Sequence, residues 1–243
     1  MLPRADDTTL FLVFELIDFF IFLFASWIMG RLEGRTVAEY GLPWRKMFGL
    51  QFWQGAFFGF ASITGLLIAM RAFKVFYFGR FVLHGFDIWR WGVIYGRLLF
   101  ILVALREEFR SRGYALFTLS MGIGFWPAAV LSAAYFGYSH HGNSGEDWIG
   151  LFNAGGFGLL ACFLLRRTGN LWMPIGLHMA FDWGERPNPT RSSFECKFVR
   201  PAVALGRYSR SRGQCALHFS DSCGVADLCG LATRDQISEL PRT

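Results

Sequence analysis

Residues 10–29 form a Phe-, Leu- and Ile-rich run that, at about 20 residues and ~1.5 Å of helical rise each, is long enough to cross the hydrocarbon core of a bilayer. Further apolar stretches follow at 50–70, 91–105, 124–139, 148–165 and 171–183. The chain is therefore expected to be an all-α, polytopic transmembrane helix bundle of about six membrane helices. Composition agrees. Of 243 residues, 53% are hydrophobic and only 17% are charged, against roughly 25% charged in a soluble domain. The 28 Phe and 9 Trp exclude disorder for most of the length, and five Cys are too few for a disulfide scaffold. In so apolar a chain a net charge of +6 reads as membrane-flanking charge and not as a nucleic-acid footprint.

The composition breaks near residue 184. All 9 Trp and 25 of the 28 Phe precede it, whereas 184–243 holds four of the five Cys and half of the eight Pro. That segment has no apolar run approaching the ~18 residues of a span and no sustained period. Its Cys spacings match no CxxC zinc pair, and it reads as a disordered polar tail. The expected organisation is N-terminal membrane helices over 1–90, a helical core over 91–183, and the tail. Within the first part, 71–90 is mixed and reads as a loop plus an interfacial piece. Basic segments at 31–46, 106–112 and 166–167, with no Lys or Arg in 141–147, place the N-terminus and 141–147 on the non-cytoplasmic side, although Arg71, Lys74 and Arg80 break that alternation.

Carboxylates inside spans are costly and face a bundle interior or an aqueous cavity. Glu15 and Asp18 lie three apart on one face of the first span, and pairing with an Arg elsewhere is their simplest role. Three further polar clusters abut apolar helices. These are Glu107-Glu108-Phe109-Arg110-Ser111-Arg112, Phe136-Gly137-Tyr138-Ser139-His140, and His178-Met179-Ala180-Phe181-Asp182. Taken singly, each has a plain explanation: a solvated juxtamembrane charge run, a histidine at an interfacial helix end, and a chance HxxxD. Their conjunction is harder to explain as packing. Imidazole and carboxylate bind zinc or align a water for hydrolysis, and a carboxylate beside His can act as general base. Arg112, four residues after Glu108, can pair with it. His178 and Asp182 share one helix face.

In order, these clusters resemble the motifs EExxxR, FxxxH and HxxxD/N of the CAAX prenyl protease type II and bacteriocin-processing (CPBP or Abi) family of intramembrane proteases. The resemblance covers roughly 91–183. It implies a helical membrane bundle that cleaves a peptide bond of a membrane-associated or prenylated peptide or protein, in contact with the lipid bilayer and with no nucleic-acid partner. By position it implies that Glu107 activates water, Glu108 pairs with Arg112, and His140 polarises the water or stabilises the oxyanion. His178 and Asp182 would complete the site, Asp182 standing where many members have Asn. The same side chains suit a metal-free protease or one in which Glu107, His140 and His178 bind zinc or another divalent metal. FxxxH spacing selects His140 over its neighbour His141.

A multi-pass protein of a bacterial plasma membrane is the implied setting. After Trp183 the sequence departs from the family pattern of an amphipathic loop and another apolar helix, and from about 185 it reads as a frameshifted or otherwise aberrant C-terminus, on which activity would depend. Two other functions use the same residues: a non-catalytic immunity or scaffold protein on this fold, and a proton or metal transporter built on Glu15, Asp18, Glu107 and the histidines.

Overall fold

The computed structural model describes residues 5–74, 76–81, 96–142, 147–185 and 194–198, together with Gly85, Phe86 and Trp89. Among these residues the fold is helical, with seven α-helices: α1 (Ala5–Glu33), α2 (Leu50–Ala72), α3 (Gly96–Arg112), α4 (Tyr114–Ile123), α5 (Phe125–Ser139), α6 (Trp148–Thr168) and α7 (Trp172–Glu185). The helical bundle expected from the sequence is what forms. Three helices are long and apolar enough to cross a membrane, at Thr9–Glu33, Leu50–Ala72 and Trp148–Thr168.

One more helix forms than the apolar runs indicate, because the stretch after Glu108 breaks at Gly113 into α3 and α4. A side chain at Gly113 would run into the Phe109 carbonyl and ring, so the bend needs glycine there. The turn from α4 to α5 is made by Gly124 at φ 83°, a left-handed conformation open to glycine without strain. Ser132 Oγ then donates to the Ser111 carbonyl at 2.9 Å and fastens α5 back onto α3.

A strand, β1 (Phe76–Phe81), corrects the expected loop in 71–90. It pairs antiparallel with β2 (Phe194–Phe198), with Phe76 opposite Phe198 and Phe78 opposite Cys196. A short piece of the expected tail is thus extended backbone. The rest of the tail (186–193 and 199–243), the first residues of the expected third helix (91–95) and most of the loop 141–147 (143–146) lie outside the described residues.

α1 shows how an apolar helix divides its surface. Glu15, Phe19 and Ser26 are buried, while Phe14, Ile17, Ile21 and Phe24 face outward, as a lipid-facing surface does. Its end is held by Glu33, which accepts from the hydroxyls of Tyr40 at 3.0 Å and Tyr114 at 2.9 Å. Burial, reinforced by the bond to the Glu33 carboxylate, pushes the Tyr40 phenol up to about 12, so it remains a donor at any ordinary pH.

Lipid gives helices little hydrophobic reason to associate, so close backbone contact must do that work. The α2–α7 seam is built this way from both sides. Gly55 and Gly59 of α2 face the carbonyls of Met173 and Leu177, and Gly176 of α7 faces the Phe52 carbonyl. A methyl group at Gly59 would also lie 3.0 Å from Ala180 Cβ. In the α5–α6 seam, Gly137 of α5 faces the Leu151 carbonyl of α6, and a methyl group at Gly158 of α6 would lie 3.2 Å from Ala133 Cα. These seams fix α5, α6 and α7 around α3.

Gly59→Leu is expected to lower the melting temperature in detergent, since overpacking of this kind costs roughly 1–3 kcal/mol or more. Gly65→Leu is its control, because a Cβ there would meet nothing within 4 Å. Circular dichroism melts of the two variants check this: equal melting temperatures would deny the seam its role.

Candidate active site

α3 presents Arg106, Glu107, Glu108 and Arg112. Adjacent helical residues point about 100° apart, so the two glutamates meet different partners. Glu108 and Arg112 are both 0% exposed. Arg112 Nη1 donates to Glu108 Oε2 at 2.8 Å, and its Nε donates to the Gly158 carbonyl at 3.2 Å. The guanidinium also sits over the Phe136 ring, 4.4 Å from its centroid. Gly158 makes room for it, since a Cβ there would come within 2.9 Å of Arg112 Nη2. The interior thus supplies the countercharge and two hydrogen bonds for the guanidinium, while its Nη2 is buried without a hydrogen bond.

The other Glu108 oxygen meets His178 Nδ1 at 2.9 Å. An ionised carboxylate only accepts, so Nδ1 carries the proton, and the ring is fixed with Nε2 turned the other way. Nε2 points toward Asp182 Oδ2 at 3.4 Å, one turn further along α7, and toward Glu107 Oε2 at 3.8 Å. His140 reaches the same oxygen from α5. It caps that helix, and its Nδ1 donates to the Phe136 carbonyl, one of the terminal acceptors that a helix leaves unpaired. Nε2 of His140 is then 3.9 Å from Glu107 Oε2.

Glu107 is therefore gripped by one oxygen and presented by the other. Oε1 accepts from Arg106 Nη2 at 2.9 Å. Oε2 is buried, makes no hydrogen bond within the protein, and lies between two imidazole Nε2 atoms. Phe136 and Phe157 wall the group, the latter 5.0 Å from the His178 ring.

The structure brings all six sequence-predicted residues together: Glu107, Glu108, Arg112, His140, His178 and Asp182. His141 stacks on Tyr138 instead, and Asn143 lies outside the described residues. Arg106 was missed by sequence reasoning, which counted it among the flanking basic residues. It is the cation that Glu15 and Asp18 find, at 2.6 and 3.3 Å. The one signal for it was the pair of intramembrane carboxylates three residues apart.

Two histidines and a glutamate are a catalytic zinc donor set. With bonds of about 2.0–2.1 Å, tetrahedral ligands lie roughly 3.3–3.4 Å apart, closer than Glu107 is to either imidazole. Among the described residues no group of three or more His, Cys, Asp or Glu side chains is placed to hold a metal ion.

Removing Arg112 takes the cation from the buried Glu108 carboxylate and leaves it the His178 hydrogen bond, a loss of the kind that costs about 3–5 kcal/mol. Arg112→Met should lower the melting temperature, and Glu108→Gln added to it should recover part of the loss. Melts of the single and double variants in one detergent test this, and additive losses would argue against the pair.

Residues 88–184 match the family model described as type II CAAX prenyl endopeptidase Rce1-like. The matched segment contains α3 to α6, nearly all of α7 and all six site residues, whereas α1 and α2 lie outside it. No curated protein and no solved structure matches the chain. With three helices fit to cross a bilayer, the protein is a membrane protein whose residues 88–184, two fifths of the chain, are similar to the Rce1-like family of type II CAAX prenyl endopeptidases.

Proposed function

We propose that the chain is a multi-pass intramembrane endopeptidase that hydrolyses a peptide bond of a membrane-associated or prenylated substrate, with Glu107 as general base. The observation that supports this best is the placement of Glu107 Oε2, buried, without a hydrogen bond in the protein and 3.8–3.9 Å from two imidazole nitrogens. Groups at that separation can share one oxygen at contacts of about 2.8 Å each.

Glu107 takes a proton from a water as the water oxygen adds to the scissile carbonyl carbon, and the carbonyl π electrons move onto oxygen. His140, protonated at Nδ1, offers its Nε2 lone pair to the second water hydrogen and orients the attack. His178 has a carboxylate near each ring nitrogen and can carry a proton on both, presenting Nε2–H to the oxyanion. When the tetrahedral intermediate collapses, the C–N bond breaks and Glu107 passes its proton to the leaving nitrogen. Water has then added across the peptide bond, and Glu107 is a carboxylate again. Glu108 and Arg112 touch no reacting atom; they hold His178 in its ring orientation, as second partners of histidines commonly do. Asp182 does the same from the other side.

The test uses the full chain in detergent and a quenched-fluorescent prenylated CAAX peptide. Glu107→Gln is expected to lower kcat by about 10²–10⁴-fold, the contribution of a positioned base, with KM little changed. Wild-type protein that binds the peptide without cutting it would point to the scaffold reading instead. A divalent ion shared by Glu107, His140 and His178 is the alternative to a lone water. Cleavage that persists in a strong chelator supports the water; loss reversed by added zinc supports the ion.

A further inference from the structure

Glu15 and Asp18 come from a helix outside the family-matched segment, yet they end at the general base. The Arg106 guanidinium lies against three carboxylates: Nη1 donates to Asp18 Oδ2 at 3.3 Å, Nη2 donates to Glu107 Oε1 at 2.9 Å, and Nε forms an ion pair with Glu15 Oε2 at 2.6 Å without hydrogen-bond alignment. The fork is mostly withdrawn from solvent, the Arg106 side chain being 18% exposed and that of Glu15 7%. A planar guanidinium can hold several carboxylates in fixed directions, which the point charge of a lysine cannot.

The contact between Arg106 and Glu107 is unusual on helical grounds. Neighbouring residues on a helix do not face each other, so nothing in α3 alone brings these two side chains together. α1 does. Glu15 and Asp18 lie three apart on its α3-facing side, and they draw the guanidinium across the top of Glu107. Once Oε1 is held, Oε2 has one direction left, toward His140 and His178.

We infer that Arg106, set by Glu15 and Asp18 of α1, is a positioning residue for Glu107, so that the N-terminal helix completes the active site. Arg106 makes no contact with the reacting atoms; its effect is on the angle at which Glu107 meets the water. This rests on the general-base reading of Glu107.

Cleavage of the same prenylated CAAX peptide by the full chain, with a thermal melt of every variant, separates the possibilities. Arg106→Gln is expected to lower kcat roughly 10–100-fold, the size of effect that a small misplacement produces, with KM within about twofold. Glu15→Gln combined with Asp18→Asn should shift kcat in the same direction. The decisive variant swaps the pair: Glu15→Arg with Arg106→Glu restores an ion pair between α1 and α3 but puts a carboxylate beside Glu107. Because the interhelical ion pair returns, it should melt no lower than Arg106→Gln, yet stay at least as slow.

Recovery of activity in the swap, or wild-type kcat in Arg106→Gln, would show that Arg106 only staples two helices and would overturn the inference. If Arg106→Gln does not survive extraction, Arg106→Lys is read in its place, with reduced kcat at an unchanged melting temperature expected and wild-type kcat overturning it. A fully active Glu107→Gln would sink the general-base reading itself, whereas an inactive Glu107→Gln beside an unimpaired Arg106→Gln sinks only the positioning role.

Discussion

A carboxylate carried into an apolar bundle costs several kcal/mol unless a cation and hydrogen bonds meet it there, and α3 carries two in succession. Because they diverge around the helix, each needs its own arginine. Glu108 is met by Arg112 within α3, and Glu107 by Arg106, itself anchored on α1. The two pairs are satisfied differently. Arg112, Glu108 and His178 form a fully buried chain that ends at the Gly158 carbonyl. Glu107 has one oxygen tied down and the other turned toward the histidines.

The packing follows from housing these groups. Gly158 lets α6 approach closely enough to cap Arg112, and the Phe136 ring lies beneath the guanidinium while its carbonyl orients His140. One residue thus supports two members of the site. The α2–α7 glycine seam sets where α7 runs, and with it His178 and Asp182. Seams of small residues give a rigid frame without needing a hydrophobic driving force, and rigidity is what a site made from three separate helices requires.

Much of this was legible in the sequence, for identifiable reasons. Helix identity came from apolar runs that lipid leaves little freedom to fold otherwise. The six site residues stood out because charge and imidazole in apolar helices need an explanation. The break at Gly113 was not legible, since glycine is common in membrane helices and its effect there depends on the ring of Phe109. Arg106 escaped for a related reason. Beside Arg110 and Arg112 it resembles any basic run at a helix end, and its role depends on α1 lying against α3, a contact spanning 88 positions. Arg110 shows the other fate of such a residue, donating to Tyr135 Oη at 2.7 Å on the half-exposed side of the same helix. The strand pairing of 76–81 with 194–198 was equally hidden: FYFGRF does not alternate, and FECKF, which does, is a five-residue stretch too short to stand out.

The central claim is that Glu107, which deprotonates the water, and His178, which meets the oxyanion, act in one step as a unit. A double-mutant cycle of kcat/KM on the prenylated CAAX peptide, with Glu107→Gln, His178→Gln and both together, tests it most directly. Groups that act as a unit are strongly non-additive, so the double variant is predicted to be no slower than the slower single one. Losses that multiply in the double variant would mean that the two residues act independently, and would contradict the shared site.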